Sequence, residues 1–244
     1  MVNDVLFIEF VGLPGAGKST IASKVIQRFE SENYRIYSRE MLNRFRADNS
    51  KFHNGFNLIF FLISNLDFVI RCINYGRCFR PINFESMRFS YTAVRTAFKS
   101  KLAVENAGKN GCRLVVFDQG ILQDLWSVGV TGETANLEIL HEKLVRLLKP
   151  IYRQFPPVIV FIDTDAHKAA ERIKLRGPSP YRFDNMEIKT VEKVLIAKEN
   201  YMKSLVDTVS SIRSVKKIKI KNSCNSSDVE IEKLIEFIGR NAGK

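Results

Sequence analysis

Val5-Leu6-Phe7-Ile8-Glu9-Phe10-Val11-Gly12-Leu13-Pro14-Gly15-Ala16-Gly17-Lys18-Ser19-Thr20 is the stretch on which the fold turns. Its first seven residues read as a strand, and Ile21 to Phe29 continues as an amphipathic helix. Between them, Gly12-x4-Gly17-Lys18-Ser19 has the spacing of a phosphate-binding loop, in the strand, turn and helix context that loop requires. Glycine lets successive backbone N–H groups turn inward around an anion, where a Cβ would intrude. Lys18 supplies a point charge for β- and γ-phosphate oxygens, and the Ser19 hydroxyl is a hard ligand for Mg²⁺. The helix aims the positive end of its dipole at the same place. Gly12, Pro14, Gly15, Ala16, Gly17, Lys18, Ser19 and Thr20 are therefore the expected nucleotide-binding residues. The bland alternative, a glycine turn joining any strand to any helix, does not explain the lysine and hydroxyl that follow.

Four more apolar strands are predicted. They are 34–38, 113–117, 158–162 and the basic 215–220, each followed by a helical or polar segment. Strands alternating with helices imply an α/β fold, here three layers with a five-stranded parallel sheet. The segment 41–110 is helical in pattern and reads as an insertion after strand two. Within it one helix is expected over 56–79 and another over 84–107, with Pro81 between them. Helical periodicity is also expected over 133–155 and 166–175, where Asp165 is placed to cap the N-terminus. The absence of any linker or repeat predicts a single domain over 1–244. Ligands of such sheets bind at the carboxyl ends of the strands. Residues 12–20, 39–40, 118–119, 163 and 222–226 fall there.

The chain has 244 residues, enough for one substantial core, and a net charge of +12. That charge is compatible with nucleic acid, an anionic surface or a small polyanion such as a nucleotide. Cysteines at 72, 78, 112 and 224 and histidines at 53, 141 and 167 show no metal-binding spacing. With no leader-like start, a reduced, cytoplasmic protein is expected. The apolar run 56–73 is interrupted by Asn57, Ser64, Asn65, Asp67 and Arg71. It predicts a buried or interface helix rather than a membrane span, and offers a face for a homodimer.

Competing nucleotide-protein classes fail on the letters. No Asn-Lys-x-Asp base-reading sequence is present, and Asp118-Gln119-Gly120 brings its glycine too early for an Asp-x-x-Gly switch. Asp118, directly after a strand, can complete a Mg²⁺ shell or accept a proton from an attacking hydroxyl. Arg172 and Arg176 share one helical face, and Arg182 follows on a polar loop, a lid-like set suited to a transferring phosphoryl group. Asn222 opens a small polar loop of a size to edge an adenine ring.

The phosphate loop, Arg39-Glu40 after strand two, Asp118 after strand three and Arg172-x3-Arg176-Gly177…Arg182-Phe183-Asp184 together resemble the thymidylate kinase and deoxynucleoside kinase branch of P-loop kinases. The resemblance implies ATP and Mg²⁺, with a lid near 176–184. It also implies Arg172 beside adenine, and Arg176 and Arg182 at the transferred phosphate. It casts Glu40 as candidate base, Asp118 as metal-shell ligand, and Arg39 and Arg95 as acceptor-binding residues. Where those families carry an Arg after the strand-three acid, this chain has Gln119, an amide in place of a bidentate cation. The expected acceptor therefore widens from a nucleoside monophosphate to a nucleoside or other hydroxylated metabolite. The rival expectation is a nucleotide-binding regulatory module whose basic surface docks on nucleic acid or another polyanion.

Overall fold

The computed structural model describes residues 5–38, 41–42, 51–80, 84–130, 133–134, 137–176, 183, 186–222 and 227–242. In chain order the elements are β1 (Leu6–Gly12), α1 (Lys18–Ser31), β2 (Ile36–Ser38), α2 (Lys51–Ser64), α3 (Leu66–Gly76), β3 (Phe79–Arg80), α4 (Phe84–Lys109) and β4 (Leu114–Phe117). They continue as α5 (Ile121–Val130), β5 (Glu133–Thr134), α6 (Leu137–Gln154), β6 (Pro157–Asp163), α7 (Ala166–Leu175), α8 (Ile188–Ser210), β7 (Lys216–Lys221) and α9 (Ser227–Asn241). Five strands form one all-parallel sheet in the order β2-β4-β1-β6-β7. With helices on its two faces this is the expected three-layer α/β architecture.

The sheet is buried on both faces, so its central strands are continuous apolar runs rather than alternating ones. Phe7 of β1 makes edge-to-face contacts with Phe117 of β4 (5.6 Å) and with Phe155, just before β6 (6.0 Å). Three neighbouring strands are thereby stitched through one aromatic cluster. The same face of β1 carries Glu9, which meets α5 and α6. On α1, Ile21, Ala22, Val25 and Phe29 are buried, and the helix packs against β1 and α9.

Two expectations in the helical insertion are corrected. The single helix expected over 56–79 is two, α2 and α3, bent by 84° across Asn65. At the bend the Phe61 carbonyl accepts from both the backbone N–H and the side-chain amide of Asn65, each at 2.9 Å. The helix expected from 133 begins only at Leu137, because Glu133–Thr134 pairs antiparallel with Phe79–Arg80. The break expected at Pro81 lies outside the described residues.

Among the described residues no single helix is long and apolar enough to cross a membrane. Ile59, Phe60, Ile63, Leu66 and Ile70 of the bent pair are exposed, so the face expected for a two-fold contact is apolar. The basic strand β7 lies at the sheet edge with its lysines engaged inside the chain. Lys217 pairs with Asp207 (2.7 Å), Lys219 with Asp163 (2.8 Å), and Lys216 donates to Asn241 (2.6 Å). Lysines on an edge strand also discourage pairing with another sheet.

Candidate functional site

The loop between β1 and α1 needs its glycines for two different physical reasons. Gly15 and Gly17 have φ of 81° and 89°, the left-handed region that an L side chain strains to adopt. At Gly15 a Cβ would also come within 2.1 Å of the Ala169 carbonyl oxygen, so the loop rests directly on the backbone of α7. The Ala16 carbonyl accepts from Asn222 Nδ2 (2.7 Å) and from Thr164 Oγ1 (3.3 Å). Since a trans peptide directs its C=O and N–H to opposite sides, the Gly17 N–H faces away from those two donors.

Gly17 is the N-cap of α1, and no side chain caps the helix. The first intrahelical bond is donated by Ile21 to Gly17, so the amides of residues 18–20 find no partner within the helix. The first turn of α1 itself carries no acidic residue, so the carboxylate that meets this helix end, Asp118, comes from the end of β4. This is the electrostatic character of an anion site.

Lys18 is buried, and its Nζ donates to the carbonyls of Gly12 and Leu13, both at 2.9 Å. Burial pushes its ammonium down to about 7; the Asp118 carboxylate opposes that shift and the nearby Arg176 guanidinium reinforces it. Ser19 Oγ donates to Asp118 Oδ2 at 2.9 Å, joining the start of α1 to the end of β4 across 99 residues of sequence. A hydroxyl and a carboxylate side by side are the hard-oxygen set on which Mg²⁺ is held together with substrate phosphates. The donor chemistry therefore fits the expected metal.

On the other flank, α7 is capped by Asp165, which accepts from the amides of His167 and Lys168. Its far end brings Arg172 and Arg176 towards the loop. Arg172 Nη1 is buried without a hydrogen-bond partner among the described residues, and stands 3.8 Å from where a Cβ on Gly17 would lie. The structure thus gathers Lys18, Ser19, Asp118, Asn222, Arg172 and Arg176 around one loop. Arg39, Glu40 and Arg182, expected in base, acceptor and lid roles, lie outside the described residues. Gln119 is exposed beside Asp118, and Arg95 lies on the exposed side of α4 with its guanidinium 5.8 Å from the Tyr91 ring centroid.

Asn222 sits where the expected adenine-edging loop begins, and its amide nitrogen donates to the Ala16 carbonyl. Three residues at the site escaped the sequence reading. Thr164 supplies the second donor to Ala16; Gln123 accepts from the Gly12 N–H at 3.3 Å; and Glu9 accepts from the Leu122 N–H at 2.8 Å. The one available signal was Glu9 itself, a charged residue in the middle of an otherwise apolar strand.

No protein-family model matches the chain, and no curated protein matches it in sequence.

Proposed function

We propose that the chain is an ATP- and Mg²⁺-dependent phosphotransferase that moves the γ-phosphoryl group to a small acceptor: a nucleoside monophosphate, a nucleoside or another hydroxylated metabolite. The observation that carries this reading is the Ser19–Asp118 pair, 2.9 Å apart at the uncapped start of α1 and beside buried Lys18. In this proposal the loop amides and Lys18 grip the phosphate tail. Ser19 and Asp118 hold Mg²⁺, which when bound offsets negative charge on the phosphates. Arg172, with a buried nitrogen not yet bonded, and Arg176 lie on the side from which guanidinium groups can compensate the charge of the transferring group. Asp118 or Glu40 takes the acceptor's proton. Catalysis is then positioning and charge compensation, with no covalent intermediate on the protein.

The test is ATP consumption measured against a panel of nucleosides, nucleotides and sugars, with water alone as control. Acceptor-dependent consumption is expected. Consumption that ignores every acceptor would favour the regulatory module, and no consumption at all would remove the transferase reading.

A pH dependence follows from Lys18. Its ammonium is held down to about 7, so above that pH the folded chain carries it mostly neutral. A triphosphate favours the charged form, so binding takes up a proton. Affinity for ATP is therefore expected to weaken as pH rises above 7. At pH 8 the calorimetric heat of binding should vary with the ionisation enthalpy of the buffer. Equal heats in two such buffers would contradict proton uptake.

A further inference from the structure

Glu9 is fully buried in β1, with Phe117 and Ile159 as its partners on the neighbouring strands. A carboxyl group in that position is costly, and an apolar residue would serve the core better. Its oxygens are both used: Oε1 accepts from the Leu122 N–H (2.8 Å) and Oε2 from the Tyr152 hydroxyl (3.1 Å). Leu122 belongs to the first turn of α5, whose orphan amides need such an acceptor. The backbone before it lies against the same carboxyl group, for a Cβ on Gly120 would come within 2.1–2.4 Å of Glu9 atoms. In the same turn, the next residue, Gln123, accepts from the Gly12 N–H at 3.3 Å. β1 therefore grips the start of α5 at two points, residues 9 and 12. The segment gripped begins two residues after Asp118, which faces Ser19 across the loop that β1 leads into.

We propose that Glu9 is a positioning residue, a buried clamp on the Gly120–Leu122 turn that sets Asp118 against Ser19. This rests on the phosphotransferase reading only for its consequence, which is how well the site uses Mg²⁺. The clamp itself is a property of the fold. Burial pushes the Glu9 carboxyl up to about 7, and the Asp124 carboxylate reinforces that, while the Leu122 N–H and the Tyr152 hydroxyl oppose it. Gln at this position retains an acceptor for the Leu122 amide, whereas Leu does not.

The experiment compares wild type, Glu9→Gln, Glu9→Leu and Gly120→Ala, each first checked for cooperative unfolding. Gly120→Ala leaves Glu9 in place and displaces the turn by collision, so it carries the test if Glu9→Leu fails to fold. Two readouts are taken. Hydrogen exchange of residues 118–124 should speed up at least about ten-fold in Glu9→Leu and Gly120→Ala and stay near wild type in Glu9→Gln. ATP binding with Mg²⁺ and with EDTA should show that the same two variants lose at least about ten-fold of the Mg²⁺-dependent gain, with binding in EDTA unchanged. A folded Glu9→Leu or Gly120→Ala protein with wild-type exchange at 118–124 would overturn the clamp. Faster exchange with an undiminished Mg²⁺ gain would reduce Glu9 to a core residue and overturn its positioning role. A wild type that does not bind ATP, with the exchange result as expected, would overturn the phosphotransferase reading and the consequence for Mg²⁺ together, while the clamp on the turn stands.

Discussion

Lys18→Ala is expected to lower ATP turnover at least about 100-fold while the chain still folds. Lys18 is the only cation projected from within the loop 12–20, and its Nζ already sits against the Gly12 and Leu13 carbonyls, held on the loop's own backbone. The fold should tolerate the change for an electrostatic reason. Burial disfavours this ammonium enough to bring it down to about 7, so truncation removes a desolvation penalty along with two hydrogen bonds to carbonyls. Turnover in the acceptor screen and thermal unfolding of the same preparation check both halves. A variant that unfolds cooperatively and turns over at the wild-type rate would remove Lys18 from the mechanism.

Asp118→Asn is expected to be almost as damaging to turnover, about 100-fold or more, and to leave ATP binding without metal nearly intact. The substitution keeps the size of the side chain and an oxygen able to accept from Ser19 Oγ, so the start of α1 and the end of β4 stay tied. What it removes is the negative charge. That charge would hold Mg²⁺, and it also supports the ammonium of Lys18 against burial. Two outcomes follow. The Mg²⁺ concentration for half-maximal turnover should rise, and the pH above which ATP affinity weakens should move lower. Unaltered Mg²⁺ dependence would mean that Asp118 is an ordinary strand-end carboxylate bound to a serine.

The parts of the fold legible in the sequence are those where local chemistry and tertiary role coincide. Gly12 to Thr20 is read correctly as strand end, turn and helix start because glycines punctuate the turn, Gly15 and Gly17 at positive φ. The inner strands are visible because a sheet covered on both faces needs apolar runs there, the edge strand β7 because its lysines alternate with isoleucines, and the N-cap Asp165 because capping is a local bond. Asp118 meets Ser19 as expected, since parallel strands deliver their carboxyl ends to one edge. The break at Asn65 is less visible, because the apolar pattern continues across it and asparagine also occurs inside helices. The β3–β5 ribbon is two residues wide and leaves no periodicity to detect.

Glu9, Gln123 and Thr164 were out of reach for a different reason. Their partners are Leu122, Gly12 and Ala16, more than a hundred residues away in each case, and only the packed sheet brings them together. Asn222 was assigned to the nucleotide from its place in a polar loop, whereas its amide holds the loop that would bind the nucleotide. The distinction matters for mutagenesis. Asn222→Ala removes the bond to the Ala16 carbonyl and so perturbs loop geometry.

Calorimetric titration of the wild-type chain with ATP, AMP and adenosine, in Mg²⁺, tests most directly whether the loop from Gly12 to Thr20 recognises a triphosphate tail. Saturable binding of ATP is expected, at least about ten-fold tighter than AMP and tighter still than adenosine, with the ATP preference lost in Lys18→Ala. Equal affinity for ATP and adenosine, or no ATP binding by the folded wild-type chain, would contradict it.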